Sequence, residues 1–297
     1  MNRISLILSR LFELSPIARP PVGIELGSQT TRVVQAGKLL WVEPTVYLKN
    51  LKNQEIISLG NQAQKYFAVN PETTQLISPI VAGQAVANQA LVEYLSALFG
   101  QLNLTSQLFA GKPIIYLSWQ NNLSPAQKLA YERSLSQAGA GAVKFIDAFA
   151  LAWINLVKQK LVSGQALLLN VGAQTTTLGL VQNGQIVCDY FVPQGIELVK
   201  KQIQATIREK YSLSISLSTA EKVLTELVQV PNETGEQKAL VIRGKCIETG
   251  LPDTQKISSE ELKNVVAGYL QLLLESWQLL LEKLPSSIQR EIGRAHV

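Results

Sequence analysis

Two stretches of this chain repeat one pattern, and the repeat constrains the fold more than any other feature. Glu25-Leu26-Gly27-Ser28-Gln29-Thr30-Thr31 and Asn170-Val171-Gly172-Ala173-Gln174-Thr175-Thr176 align residue for residue at an offset of 145. Each stretch sits between β-rich runs. Val22-Gly23-Ile24 leads into the first and Arg32-Val33-Val34 leaves it; Leu168-Leu169 leads into the second and Leu178-Gly179-Leu180-Val181 leaves it. A β-rich run, a Gly turn with small polar residues and a second β-rich run form a hairpin signature. Two such hairpins in register predict a duplicated fold half, one copy per domain.

The chemistry this pair supports is phosphate binding. A Gly turn lets backbone N–H groups point inward with no Cβ in the way. Such donors form a nest for an anion, and Ser and Thr hydroxyls add to it. Two facing hairpins can clamp a polyphosphate between two domains. An acid at the head of each strand, Glu25 in the first, would hold waters of a bound Mg²⁺.

Composition removes the main competing chemistries. The chain of 297 residues is 46% hydrophobic and 16% charged, enough to bury a real core. Its net charge is +5 with no dense Lys/Arg tract, so nucleic acid is not an expected partner. The one histidine, His296, is next to last, which excludes His-dependent triads and metal sites for the folded body. Cys188 and Cys246 form no CxxC and read as free thiols of a reducing cytoplasm, with a disulfide the remaining alternative.

The two ends carry separate signals. Residues 1–16 read as an amphipathic helix, with Ile4, Ile7, Leu8 and Leu11 at helical spacing and Arg3 and Arg10 on another face. Pro16 ends it, and no apolar run reaches the roughly 18 residues needed to span a bilayer. The helix either lies in the inner membrane surface, arginines toward anionic lipid, or docks on the protein's own body. Residues 291–297, EIGRAHV, back-translate into the opening of a common sequencing adapter. They are expected to be adapter read-through, the gene fragment ending near Arg290 and the protein itself continuing beyond it, so that the second domain is cut before the chain returns to the first; a natural tail is the alternative.

Further matches, collinear with the repeat, point to a family. Val42-Glu43-Pro44-Thr45-Val46 is similar to a strand EPSVV, Leu59-Gly60-Asn61-Gln62-Ala63 to VGEEA, and Ser218-Thr219-Ala220-Glu221-Lys222-Val223 to a helix RTAEEIK. Val241-Ile242-Arg243-Gly244, Thr249-Gly250-Leu251-Pro252 and Ile257-Ser258-Ser259-Glu260-Glu261-Leu262 resemble VRGRDLVTGLP and ISSEEV. With the two turns, the chain resembles the actin-like ATPases, and among them the MreB bacterial actins. The resemblance implies an α/β, ribonuclease H-like fold of two similar domains flanking a nucleotide cleft. Domain I would span 17–160 and domain II 161–290.

That resemblance also implies a function and a site. It implies an ATP-binding filament protein, cytoplasmic and peripheral on the inner membrane, that polymerises with itself into protofilaments. Such a filament works with cell-wall elongation membrane proteins to set rod shape. Nucleotide contacts are implied at Gly27, Ser28, Gln29, Thr30, Gly172, Ala173, Gln174, Thr175, Gly195, Glu221, Lys222, Val223 and Leu224, and a water-orienting carboxylate at Asp147. Membrane contacts fall on Ile4, Ile7, Leu8 and Leu11.

The departures from the family fall on this chemistry. The first-turn Asp is Glu25, whose carboxylate reaches about 1.5 Å further. The second-turn Asp is Asn170, which brings no charge to a metal. Two glycines are replaced by Ala173 and Gln174, and a lysine by Leu224. ATP and Mg²⁺ binding are therefore expected to be weakened, and hydrolysis slow at most. The alternatives are a degenerate pseudo-ATPase scaffold or co-polymer and a PilM-type membrane-assembly adaptor, with a sugar kinase further off.

Local patterns complete the picture. Pro125 to Gln137 is expected to be a helix, Pro113–Leu117 and Val143–Ile146 strands. A helix capped by Ser258 with Glu261 is expected to carry an apolar stripe of Leu262, Val265, Val266, Tyr269, Leu270, Leu273, Leu274, Trp277, Leu280 and Leu281.

Overall fold

The computed structural model describes residues 20–105, 111–119, 123–162, 164–227 and 238–284. The chain divides into two compact units, Met1–Asn155 and Leu156–Val297. The proposed N-terminal helix and the 291–297 tail lie outside the described residues.

In the first unit the predicted hairpin forms. β1 (Val22–Leu26) and β2 (Thr30–Gln35) pair antiparallel from Val22↔Gln35 to Leu26↔Thr31. β2 continues into β3 (Lys38–Pro44) through Ala36 and Gly37, both at positive φ (48° and 74°). That conformation matches the twist of the strands it joins. β9 (Ile114–Trp119) pairs parallel to β1, and β10 (Ala142–Asp147) parallel to β9, giving a five-stranded sheet in the order β10-β9-β1-β2-β3. Between β3 and β9 run a smaller sheet of β4 (Tyr47–Asn50), β5 (Ile56–Leu59) and β6 (Thr74–Ile77), and a ribbon of β7 (Ile80–Val81) and β8 (Gln84–Ala85). The stretch Val42–Val46 is thus a strand only as far as Pro44, which ends β3; the Thr45 N–H turns away to donate to Gln29 O at 3.0 Å, and β4 starts beyond the stretch.

One face of the large sheet builds the core. Val22, Ile24, Val33, Ile115 and Leu117 alternate inward and are buried. Over them pack Leu91, Tyr94, Leu95 and Leu98 of α2 (Asn88–Gln101) and Tyr131 and Leu135 of α3 (Pro125–Gln137). Helix α1 (Gly60–Val69) lies on the smaller sheet. Helix α3 has the bounds expected from the sequence because Ser124 caps it. Ser124 Oγ accepts from Gln127 N–H at 3.2 Å, and Gln127 Oε1 accepts from Ser124 N–H at 2.7 Å. Helix α4 (Ala148–Lys158) spans the division between the units.

The second unit repeats the meander. β11 (Gln165–Val171), β12 (Thr176–Gln182) and β13 (Gln185–Val192) are antiparallel in sequence order. The agreement goes beyond the repeated motif. Asn183 and Gly184 join β12 to β13 at φ 49° and 81°, as Ala36 and Gly37 join β2 to β3. The register shifts once in each pair, between Val33 and Val34 and between Leu180 and Val181. Around this meander fold α5 (Ile196–Tyr211), β14 (Leu213–Ser214), α6 (Leu217–Leu227), β15 (Ala239–Cys246), β16 (Pro252–Ser258) and α7 (Lys263–Glu282).

Helix α7 corrects two expectations. A 3₁₀ turn, Glu260–Leu262, precedes it, and neither Ser258 nor Ser259 caps it with a side chain. Burial opposes ionisation of Glu261, but hydrogen bonds from the Tyr211 and Ser258 hydroxyls and the nearby Lys210 charge outweigh it and hold the carboxyl below the usual range. Leu262, Val265, Tyr269 and Leu280 are buried as expected; Leu274 is exposed, and Ser276 is buried instead. Among the described residues no helix is long and apolar enough to cross a membrane.

Candidate functional site

The two repeated turns have the same backbone. Gly27 N–H donates to Thr30 O at 3.1 Å, and Gly172 N–H donates to Thr175 O at 2.8 Å. A Cβ on Gly27 would lie 2.9 Å from Thr30 O, and one on Gly172 would lie 2.8 Å from Thr175 O. Glycine is therefore required at both places by the close carbonyl.

The first turn is fastened by its own domain. Ser28 Oγ accepts from Gly83 N–H at 3.0 Å, and the buried Tyr131 hydroxyl donates to Gly83 O at 3.3 Å. Burial pushes the Tyr131 hydroxyl up to about 12. Below the turn, the buried Thr31 and Thr45 hydroxyls are 2.9 Å apart. Because β1, β9 and β10 are parallel, their carboxyl ends share one edge of the sheet, which carries the turn, Trp119 and Asp147. Open α/β sheets bind ligands at that edge.

The charges on this edge differ from expectation. Arg32 Nη1 donates to Glu25 Oε2 at 2.9 Å, across the β1–β2 register. Asp147 Oδ1 accepts from Phe149 N–H at 2.7 Å and Ala150 N–H at 3.1 Å, so Asp147 caps α4. Sequence reasoning missed Lys128, whose ammonium lies 3.4 Å from the centroid of the Trp119 ring, itself edge-on to Phe145. Its signal was faint: a lysine in the first turn of α3, three residues beyond Pro125.

The second turn is seated on a helix. Ile196 N–H donates to Gly172 O at 3.0 Å and Glu197 N–H to Ala173 O at 2.8 Å, so the first amides of α5 hold the turn's carbonyls. Gly195 lies against the same atoms: a Cβ there would meet Gly172 O at 2.4 Å and Ala173 O at 2.5 Å. Gln174 Nε2 donates to Glu197 Oε2 at 2.7 Å, and Lys201 pairs with Glu197 at 3.0 Å. Burial would raise the Glu197 carboxyl, but these two bonds and the charges of Lys201 and Lys200 hold it below the usual range. Deeper in, the Thr176 and Tyr269 hydroxyls meet at 2.7 Å.

Gly27 to Thr30 thus form one cluster, and Gly172 to Thr175 with Gly195 another. Helix α6 joins the second cluster through α5, where buried Lys200 lies 3.6 Å from Glu221 Oε2. Lys222 is exposed and 3.9 Å from Glu226. Val223 is fully buried beside Val199 and Ile203, and Leu224 packs on the same core, since the helix must bury one face. Ile4, Ile7, Leu8 and Leu11 lie outside the described residues.

The residues present fit a bound Mg²⁺ poorly. Glu25 is paired with Arg32, Asn170 carries no charge, and Asp147 is engaged as a cap. Among the described residues no three His, Cys, Asp or Glu side chains gather as metal ligands.

A duplicated meander with one such turn per repeat defines an actin-like fold, and solved structures share it. MreB5 of Spiroplasma citri bound to ADP has a TM-score of 0.82 at 23% identity, covering 93% of this chain and 83% of that one. A MamK double helical filament has a TM-score of 0.70 at 15% identity, covering 91% of this chain and 82% of that one. The cell shape-determining protein Mbl of Bacillus cereus is 22% identical over 273 residues, 91% of this chain and 81% of that protein. The family model for MreB/Mbl protein matches residues 19–297, and the chain belongs to that family of actin-like cytoskeletal proteins. At these identities it is a divergent member.

Proposed function

We propose that this chain binds ATP at its two turns, polymerises with itself and acts beneath the inner membrane, where its filaments direct cell-wall synthesis and rod shape. The observation that carries the reading is the identical turn in both repeats: a glycine that no Cβ can replace, closed by the same Gly-to-Thr bond. A tight glycine turn of this kind presents backbone N–H donors to an anion. The relatives add support: MreB5 of Spiroplasma citri is bound to ADP, MamK forms a double helical filament, and Mbl is named as cell shape-determining. The nucleotide contacts are Gly27 to Thr30, Gly172 to Thr175 and Gly195, with Glu221 and Lys222 further along. Hydrolysis is slow at most, because Asp147 Oδ1 already accepts two amides and leaves the carboxylate held as a helix cap. The membrane contact is the amphipathic segment of residues 1–16, and wall-elongation membrane proteins are the partners.

The test is a titration of the full chain with ATP, followed by sedimentation of polymer. Binding below millimolar concentration with ATP-dependent pelleting is expected; no binding at millimolar ATP would sink the reading. Co-sedimentation with anionic liposomes should fall when Met1–Ser15 is deleted. Unchanged sedimentation would remove that segment's anchoring role. The Glu25–Arg32 pair and Asn170 favour a second reading, a scaffold that co-polymerises without nucleotide. It predicts nucleotide-free filaments in the same assay.

A further inference from the structure

The carboxylate that a metal-dependent first turn needs is ion-paired in this protein. Glu25 and Arg32 face each other across β1 and β2 and bond at 2.9 Å, with side-chain exposures of 55% and 47%. Both are therefore open to a ligand while holding each other. The equivalent pair in the second repeat is Asn170 opposite Thr177, which has no charge of either sign. Mg²⁺ keeps much of its hydration and is held through one or two carboxylates together with phosphate oxygens. A carboxylate bonded to a guanidinium is a poor member of such a set.

The guanidinium is itself suited to the phosphates. It is a planar fork of five donors that matches phosphate geometry, and the bond to Glu25 engages one of them, on Nη1. Arg32 also lies on the strand that leaves the turn, two residues beyond Thr30. We propose that Arg32 is the counter-charge for phosphate at the first turn, so that this chain binds adenine nucleotide without Mg²⁺. The guanidinium shares its donors between Glu25 and phosphate oxygens, and no bond is made or broken. This inference rests on the nucleotide reading above, and the following experiment separates the two.

Full-length protein is titrated with ATP in excess Mg²⁺ and in excess EDTA, alongside Arg32→Leu, Arg32→Lys and Glu25→Gln. The affinities with and without the metal should agree within about threefold. Arg32→Leu should weaken binding about ten- to a hundredfold in EDTA, the loss of charge-assisted hydrogen bonds, with Arg32→Lys in between. Glu25→Gln, which frees the guanidinium, should bind ATP at least as tightly as the parent in EDTA. The side chains are half exposed, so melting temperatures should change little; that measurement confirms that each variant is folded. A tenfold or greater gain from Mg²⁺ that Glu25→Gln abolishes would overturn the inference and make Glu25 a metal ligand. Unchanged affinity in Arg32→Leu would overturn it as well. Both results leave nucleotide binding intact, whereas no binding under either condition overturns the inference and the nucleotide reading together.

Discussion

Gly195→Ala is the sharpest perturbation of the second turn. Gly195 has φ −135° and ψ −166°, extended backbone that alanine adopts freely, so the effect is purely steric. The added Cβ would lie 2.4 Å from Gly172 O, 2.5 Å from Ala173 O and 2.6 Å from Ala173 C. All three atoms are backbone and cannot rotate away. The turn must move off α5 by roughly half an ångström or more to restore ordinary contact. That movement stretches the bonds from Ile196 N–H to Gly172 O and from Glu197 N–H to Ala173 O. Two backbone bonds at about 0.5–1.5 kcal/mol each, with about 1–3 kcal/mol for overpacking, give a loss of roughly 2–6 kcal/mol. The melting temperature should fall by on the order of 10 °C. Amide exchange at Ile196 and Glu197 should accelerate most. Gly268→Ala is the control: it lies in the middle of α7, and its Cβ would meet Gln202 Nε2 at an ordinary 3.8 Å. It should stabilise by about 0.5–1 kcal/mol, because alanine is the better helix former. A Gly195→Ala loss below about 0.5 kcal/mol with unchanged exchange at the two amides would refute the seating of the turn on α5.

Two further substitutions test how the first unit is held. Glu93 accepts from Lys49 Nζ at 2.9 Å and from the Tyr47 hydroxyl at 2.8 Å. Burial opposes its ionisation, yet hydrogen bonds from Lys49, Gln89 and Tyr47 and the Lys49 charge hold the carboxyl below its usual range. Its stabilising contribution is therefore complete above the unfolded carboxyl's pKa and is lost as pH falls through the lower folded value. Glu93→Gln should lose about 1.5–3 kcal/mol at neutral pH and flatten the acid side of the stability profile; urea melts across pH that keep the same slope would contradict this. Asp147→Ala removes the α4 cap and should lose about 1 kcal/mol, whereas Asp147→Asn keeps an acceptor and most of the stability. Equal losses in thermal melts would show that charge rather than capping is what the residue supplies.

The fold was legible wherever a local signal marked it. Both hairpins, α3, β9 and β10 lie where alternation and turn chemistry place them. Helix α7 shows how such reading fails. Leu272, Leu273 and Leu274 form a continuous apolar run, so composition hides the helix phase and Leu274 reads as core although it is 60% exposed. Ser276 is in phase but polar. It is buried because its hydroxyl donates back to Leu272 O at 2.7 Å, which satisfies the group without a distant partner. Ser258 and Glu261 spell a cap, yet the chain first makes a 3₁₀ turn, and the Glu261 carboxylate accepts from the Tyr211 hydroxyl as well as from that of Ser258. Tertiary partners decide between two local solutions of similar energy.

The two turns were legible in the sequence and the contacts of the charges beside them were not, and the reason is physical. Each turn needs only a glycine and a following carbonyl at a fixed spacing, and both survive in the sequence as a seven-residue repeat. The seat of the second turn needs Gly195, 23 residues beyond Gly172, and no pattern announces that contact. Charge is not required for either turn to fold. Asn170 replaces an acid with no change in the Gly172–Thr175 bond, and Glu25 can form an ion pair with Arg32 without disturbing Gly27. The repeat therefore keeps one turn shape in both units while the charged residues beside the turn differ between them. The Glu25–Arg32 pair follows from the repeat once the turn is fixed: Leu26 opposite Thr31 forces Glu25 opposite Arg32. What the alignment of two short motifs leaves open is which charges stand beside each turn. At the first turn of this chain they are an acid and a cation bonded to each other, Glu25 and Arg32.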